Sequence, residues 1–292
     1  MNRHTLRRLA VDSPLRFIAA PIYTLLVRAE LAIASIAFPK LPLDRSLDDK
    51  VTVIIKTFER PAILRRLVRS IRRIYPTLPI IVVDDSCKPV RLPDVKSIFM
   101  PYNSGVSAGR QVALDRVRTP FVLIADDDFV FLPNTALASA VAKMVRNPSI
   151  DILGGQLVDL PFLRFGKPPL GMIFKTQAQP LAPIGSTIDG LLICDKVNNF
   201  FVARTERLRL VGWNAELRML DHADFFTRAL GVLLTVFDSE FRAFHAQTPF
   251  DAGYMSHRMD IANDRVILTA RWGVRRSESG ANKKSDNQET AS

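Results

Sequence analysis

The chain has 292 residues, enough for one large or two ordinary domains. Hydrophobic residues make up 48% and charged residues 24%, which excludes a mainly disordered, collagen-like or coiled-coil chain. Forty Lys and Arg against 29 Asp and Glu give a net charge of +11 and favour an anionic partner, while two cysteines, Cys87 and Cys194, are too few for a disulfide framework and lack zinc-site spacing.

The first expected element is the apolar stretch Phe17 to Phe38, preceded by Arg3, Arg7, Arg8 and Arg16. It is long enough to span a bilayer, but Arg28 and Glu30 lie mid-segment, and a charge near the bilayer centre costs about 2.5 to 3.5 kcal/mol. No small-residue cleavage site follows it cleanly, so it does not read as a secretory signal. The reading is a helix that packs on the domain, with a helix in the membrane surface second and a true span third, and residues 1–49 form an apolar and basic segment. The protein is expected to be cytoplasmic, with peripheral contact to the inner face of a membrane.

After a polar joint at Leu43 to Lys50, strands alternate with helices. Val51 to Ile55 reads as a buried strand, and Pro61 opens a helix with Ile63, Leu64, Leu67, Val68, Ile71 and Ile74 on one face. Arg65, Arg66, Arg69, Arg72 and Arg73 fall between those positions, so much of the basic excess is a solvated helix face. Ile80 to Val83 is the second strand, ending in Asp84 and Asp85; Ser97 to Met100 is the third, leading to a turn at Asn103 to Gly105. A helix from Ser107 to Val117 and a fourth strand, Phe121 to Ala125, follow, the latter ending in Asp126, Asp127 and Asp128. Pro133 suggests the start of the next helix. This rhythm predicts a mostly parallel, doubly wound sheet, whose ligands bind beyond the carboxyl ends of the strands.

Phe162 to Pro183 is proline-rich and aperiodic, and is expected to be a long excursion over the site. Strand character returns at Asn198 to Ala203, then a helix near Arg204 to Val211, another after Asp221, and a strand at Leu233 to Phe237. Residues 259–276 form a C-terminal extension and 277–292 a disordered tail without large apolar residues.

Three carboxylates at one strand end repel one another, and a divalent cation offsets that cost most readily. Hard oxygen donors suit Mn²⁺ or Mg²⁺, and such an ion could hold a diphosphate. The bland alternative is a solvated acidic turn. Asp84 and Asp85, at a neighbouring strand end, can face the same cleft and accept hydrogen bonds from a base or ribose, or form an Asx turn.

The ordered set KTFERP (Lys56 to Pro61), VVDDS (Val82 to Ser86), NSGVSAGR (Asn103 to Arg110) and FVLIADDDFVF (Phe121 to Phe131) resembles the nucleotide-sugar domain of family 2 glycosyltransferases. VNNFFVARTERLRLVGW (Val197 to Trp213), DHADFF (Asp221 to Phe226) and Phe244-His245 extend the likeness to the β-1,4-N-acetylgalactosaminyltransferases. The resemblance implies a GT-A, Rossmann-like α/β fold over residues 50–258. It also implies transfer of a sugar, N-acetylgalactosamine or another hexose or N-acetylhexosamine, from a UDP-sugar to a saccharide or glycoconjugate hydroxyl with inversion. It assigns metal binding to Asp126, Asp128 and His245, and nucleotide-sugar contacts to Thr57, Arg60, Asp84, Asp85, Arg110, Asp126 and Asp127. The general base falls on Asp224, with Asp221 as the fallback; for Asp221 a helix cap is the bland alternative. Two rival classes remain: a haloacid-dehalogenase-type phosphatase built on Asp126 and Asp128, and a non-catalytic basic module for membranes or nucleic acid. No nucleic-acid motif accompanies the charge, so no nucleic-acid partner is expected.

Overall fold

The structure, a computed structural model, describes residues 16–37, 44–166, 170–171, 173–258 and 261–273. The tail expected from Ser277 and the arginines before Arg16 lie outside the described residues. Along the first half run α1 (Arg16–Ala37), β1 (Val51–Thr57), α2 (Pro61–Arg72), β2 (Ile80–Asp84), β3 (Lys96–Phe99), α3 (Val106–Leu114), β4 (Phe121–Asp126), β5 (Phe129–Val130) and α4 (Leu137–Arg146). The second half adds β6 (Ile152–Asp159), β7 (Arg164–Phe165), β8 (Thr187–Ile188), β9 (Leu191–Ile193), β10 (Phe201–Arg204), α5 (Thr205–Arg209), α6 (Asp221–Ala229), β11 (Thr235–His245), α7 (Ala252–Arg258) and α8 (Ala262–Trp272).

These strands form one sheet in the order β3-β2-β1-β4-β10-β6-β11-β9-β8, with β5 on β11 and β7 on β6. The chain has the expected α/β GT-A architecture. β3, β2, β1 and β4 are parallel, β10 enters antiparallel between β4 and β6, and β6 and β11 are parallel again. β1, β2 and β4 are near-continuous Val, Ile and Leu runs because helices cover both sheet faces; only Lys56 and Asp126 in these strands escape full burial. Leu64, Leu67 and Ile71 of α2 pack on one face with Leu137, Val141 and Met144 of α4. Leu114, Leu208, Phe225 and Phe226 cover the other.

The parallel register sets the site. Thr57 pairs with Asp84 and Lys56 with Asp126, so three strand ends lie level. β11 is longer than the expected Leu233 to Phe237 strand: it continues through a bulge between Asp238 and Arg242 to His245, which pairs with Phe129 and Asp159. The polar run at Asp238 to Glu240 reads as a strand end in sequence but is a bulge in the sheet. β6 has no counterpart among the expected elements, since Gly154 and Gly155 interrupt its pattern. A Cβ at Gly154 would lie 2.3 Å from the Val197 side chain and one at Gly155 2.5 Å from the Phe200 ring, so the glycines let these residues close on the sheet. The helix expected from Pro133 starts at Leu137, because Leu132 and Thr135 first close a hydrogen-bonded turn.

α1 is helical as expected and packs on the domain. Tyr23, Val27, Leu31 and Ala34 face Val130, Leu132, Leu160 and Phe244, and the Tyr23 hydroxyl donates to the Leu160 carbonyl at 3.0 Å. Glu30 accepts the Phe162 N–H at 2.6 Å, which gives the mid-helix acid a partner on the domain.

Candidate active site

The level strand ends open into a cavity of about 460 Å³. Its walls include Lys56 and Arg60 from β1 and the loop after it, Arg110 from α3, Asp126, Asp127 and Asp128 after β4, Asp221 from α6, and His245 at the end of β11. Asn199, Gln247, Thr248 and Tyr254 complete its polar rim. The three carboxylates expected at one strand end are thus in one cleft with Asp221 and His245, residues far away in sequence.

Each carboxylate has a cationic neighbour. Arg110 is buried between two of them: Nη1 donates to Asp221 Oδ2 and Nη2 to Asp126 Oδ1, both at 2.6 Å. Its guanidinium is therefore a brace across the cleft. Burial works against its charge, yet Asp221 and Asp126 keep Arg110 more firmly protonated than usual. Arg60 pairs with Asp127 and, at 3.2 Å, with Asp128, and its guanidinium lies 3.7 Å from the Tyr254 ring centroid. Asp127 also accepts the Thr57 hydroxyl at 2.7 Å. Burial, then repulsion from Asp128 and Asp126, pushes the Asp127 carboxyl up to about 6 against the pull of Arg60 and Thr57. Thr57 is buried behind Asp127 and does not line the cavity.

Asp84 and Asp85 are likewise sealed behind the cleft. Asp84 accepts hydrogen bonds from Ser86 N at 3.0 Å, from the Ser86 hydroxyl and from Val90 N at 2.9 Å, the Asx-turn alternative weighed for it. Asp85 pairs with Lys56 and accepts Gly105 N at 3.0 Å. Desolvation by burial holds Lys56 below its usual pKa despite Asp85. Gly105 has φ +100°, and a Cβ there would lie 2.9 Å from the Arg218 backbone, so only glycine fits this contact. A direct contact of both acids with a base or ribose, as the resemblance implied, is not built into this arrangement: both carboxylates are buried on protein donors.

The largest departure concerns Asp224. Its carboxylate is fully buried; Oδ2 accepts Arg228 Nε at 2.8 Å, and Oδ1 accepts Trp272 Nε1 at 3.0 Å and Arg271 Nη1 at 3.2 Å. It does not reach the cavity, because α8 covers that side of α6. Asp221, three residues earlier, does line the cavity. Burial, reinforced by Asp126, raises its pKa against the pull of Arg110. The segment entering α6 is also held from α8: the buried Asp264 accepts Arg218 N, Met219 N and Leu220 N at 3.0, 2.7 and 2.8 Å, placing an anion at the helix N-terminus. The described parts of the Phe162 to Pro183 excursion do not line the cavity: Arg164 and Phe165 pair with β6, while Phe174 stacks on Trp272 and its N–H bonds Thr227.

His245 sits between two acids. Nδ1 lies 2.7 Å from Asp159 Oδ1 and Nε2 lies 3.6 Å from Asp128 Oδ1. Burial disfavours the charged ring, but hydrogen bonds to Asp128 and Asp159 prevail and push its pKa up to about 9. Among the described residues no three acidic, histidine or cysteine side chains converge as a finished metal shell. The donor chemistry nonetheless suits a hard divalent cation: Asp126 and Asp128 supply oxygen, and Asp159 fixes Nδ1 so that Nε2 faces Asp128. Lys56, which lines the cavity, and Asp264, which holds the entry to α6, are residues that sequence reasoning misses. Lys56 stands inside the quoted KTFERP motif, while nothing in the local sequence ties Asp264 to α6.

Comparison with known proteins gives a consistent family. The model of Glycosyl transferase family 2 matches residues 52–206. The β-1,4 N-acetylgalactosaminyltransferase 1 of Mus musculus is 38% identical over 195 residues, 63% of this chain and 36% of the relative, so the chain spans about a third of the length of the curated relatives it matches. Among solved structures, S. aureus TarS 1-349 in complex with UDP-GlcNAc has a TM-score of 0.51 at 20% identity, covering 67% of this chain and 58% of that one. The mannosyltransferase PcManGT from Pyrobaculum calidifontis, in complex with GDP-Man and Mn²⁺, has a TM-score of 0.50 at 16% identity over 86% of this chain and 71% of that one.

Proposed function

The chain belongs to glycosyl transferase family 2, and we propose that it moves a sugar from a UDP-sugar to a saccharide or glycoconjugate hydroxyl by a metal-dependent, inverting reaction. N-acetylgalactosamine is the favoured donor sugar, as the names of its relatives suggest. The observation that carries the proposal is the single cleft in which the carboxylates after β4 face Asp221 across Arg110. Nothing comparable supports the phosphatase or nucleic-acid alternatives.

Asp126, Asp128 and His245 would hold a Mn²⁺ or Mg²⁺ ion; when bound it supplies positive charge to the departing nucleoside diphosphate. Asp221 takes the proton from the acceptor hydroxyl as that oxygen attacks the anomeric carbon. Its raised pKa makes it a better base than an ordinary surface carboxylate, and Arg110 fixes its orientation. Asp224 acts through position: it anchors α6 to α8 so that Asp221 stays aimed at the cleft. Asp127 and Thr57 keep Arg60 in place below the strand ends.

Calorimetry with UDP, with and without Mn²⁺, tests the binding part. Affinity should require the metal and fall in Asp128→Asn. Asp221→Asn should keep UDP affinity within about twofold and lower transfer by about 10² to 10⁴. Undiminished turnover in Asp221→Asn would remove it from the role of base.

A further inference from the structure

α1 presents two opposite faces. Tyr23, Val27, Leu31 and Ala34 dock on the domain. Ile18, Ile22, Leu25, Ala29, Ile33 and Ile36, spaced by threes and fours along the other side, are exposed, Leu25 by 68% and Ile36 by 84%. Phe17 and Leu26 flank that stripe and are exposed too. This helix is long and apolar enough to cross a membrane, yet it lies along the domain, with Tyr23 and Glu30 bonded to Leu160 and Phe162. A helix held side-on in this way cannot also run across a bilayer. Beside it, the segment whose Phe162 N–H donates to Glu30 exposes Phe162, Leu163 and Phe165.

We propose that this face seats the protein on an anionic lipid bilayer, with α1 in the plane of the membrane and Phe162, Leu163 and Phe165 as a second point of insertion. The exposed stripe offers no polar atom that a protein partner would have to satisfy, which suits hydrocarbon. Charge selects the headgroup. Arg69 of α2 and Arg73 just after it line a groove against Leu31 and Ser35 of α1, Arg16 and Arg28 are exposed on α1 itself, and its one acid, Glu30, is engaged by the Phe162 N–H. Cations beside an apolar stripe match phosphate groups above acyl chains. The inference is independent of which reaction the cleft performs.

The test is flotation of the full chain with vesicles of phosphatidylcholine alone or with one-third phosphatidylglycerol. The wild type should float with the anionic vesicles, more weakly with the neutral ones, and be released by alkaline carbonate. Ile22→Asp with Ile33→Asp, both on the exposed stripe, should lower partitioning about 100-fold or more. Arg69→Glu with Arg73→Glu should lower it about tenfold on anionic vesicles and leave neutral vesicles unchanged. Circular dichroism and UDP binding at wild-type levels show that the variants remain folded. Four results would overturn the proposal: a wild type that ignores both vesicles, an Ile22/Ile33 variant that floats as well as wild type, resistance to carbonate, or a vesicle-indifferent dimer that the Ile22/Ile33 variant dissolves.

Discussion

The two walls of the cleft are held by different parts of the chain. On the strand-end wall, Asp84, Asp85, Asp126, Asp127 and Asp128 find most of their described partners within residues 56–110, with Asn199 and His245 as distant additions. On the α6 wall, Asp224 and the helix N-terminus are held by Asp264, Arg271 and Trp272 of α8. Arg110 belongs to both, and Arg218 at the entry to α6 adds bonds to the backbone of Asn103 and Val106. The strand-end wall should therefore survive damage to the last helix, whereas the wall carrying Asp221 should not, and donor binding should separate from transfer.

Removing the shared group is the strongest way to break this comparison. Arg110→Met leaves the buried Asp221 without its counter-charge and the half-exposed Asp126 without its arginine partner; it should cost about 3 to 5 kcal/mol, read as a lower denaturant midpoint, with both UDP binding and transfer lost. Asp264→Ala frees three backbone N–H groups before α6. It should lower kcat about 10- to 100-fold while UDP affinity stays near wild type, and a parallel loss of UDP affinity would show that the two walls are not independent. Trp272→Phe removes one hydrogen bond to Asp224 and keeps the ring; about 1 kcal/mol of stability should go, seen as a small drop in Tm.

The smallest effect belongs to a distant partner of the strand-end wall. The His245 pKa of about 9 lies above its unfolded value of about 6.5. The metal-free protein therefore has the full benefit of this contact below pH 6.5 and loses it as pH rises through 9. Thermal melts from pH 6 to 9.5 should show that decline, and His245→Gln should flatten it.

The same division governs what can be read from sequence. β1, β2 and β4 are legible because strands buried on both faces are unbroken apolar runs, and the carboxylates are legible because they stop those runs abruptly. In a parallel sheet consecutive strand ends meet at one edge, so Asp126 to Asp128 announce a site before any contact is known. α6 is different. Helical periodicity puts Asp221 and Asp224 on neighbouring faces and cannot say which one faces the cleft; the arrival of α8, some forty residues later, decides it. Asp84 and Asp85 fail in another way, since an acid that closes a turn and an acid that binds a ligand share the same local sequence. The glycines of β6 hide a buried strand because their reason for being there is the packing of Val197 and Phe200.

The antiparallel entry of β10 between β4 and β6 has a consequence for how the chain acquires its shape. β4 has no neighbour on that side until Phe201–Arg204 exists, and His245 reaches Asp128 later still. Contacts closed over such distances are slow to form, and the cleft is among the last parts to be completed as the chain emerges. A fragment ending before Phe201 would present Phe121, Val122, Leu123 and Ile124 as a bare, apolar sheet margin, open to pairing with another chain. Solubility, more than activity, is what such a truncation should lose first.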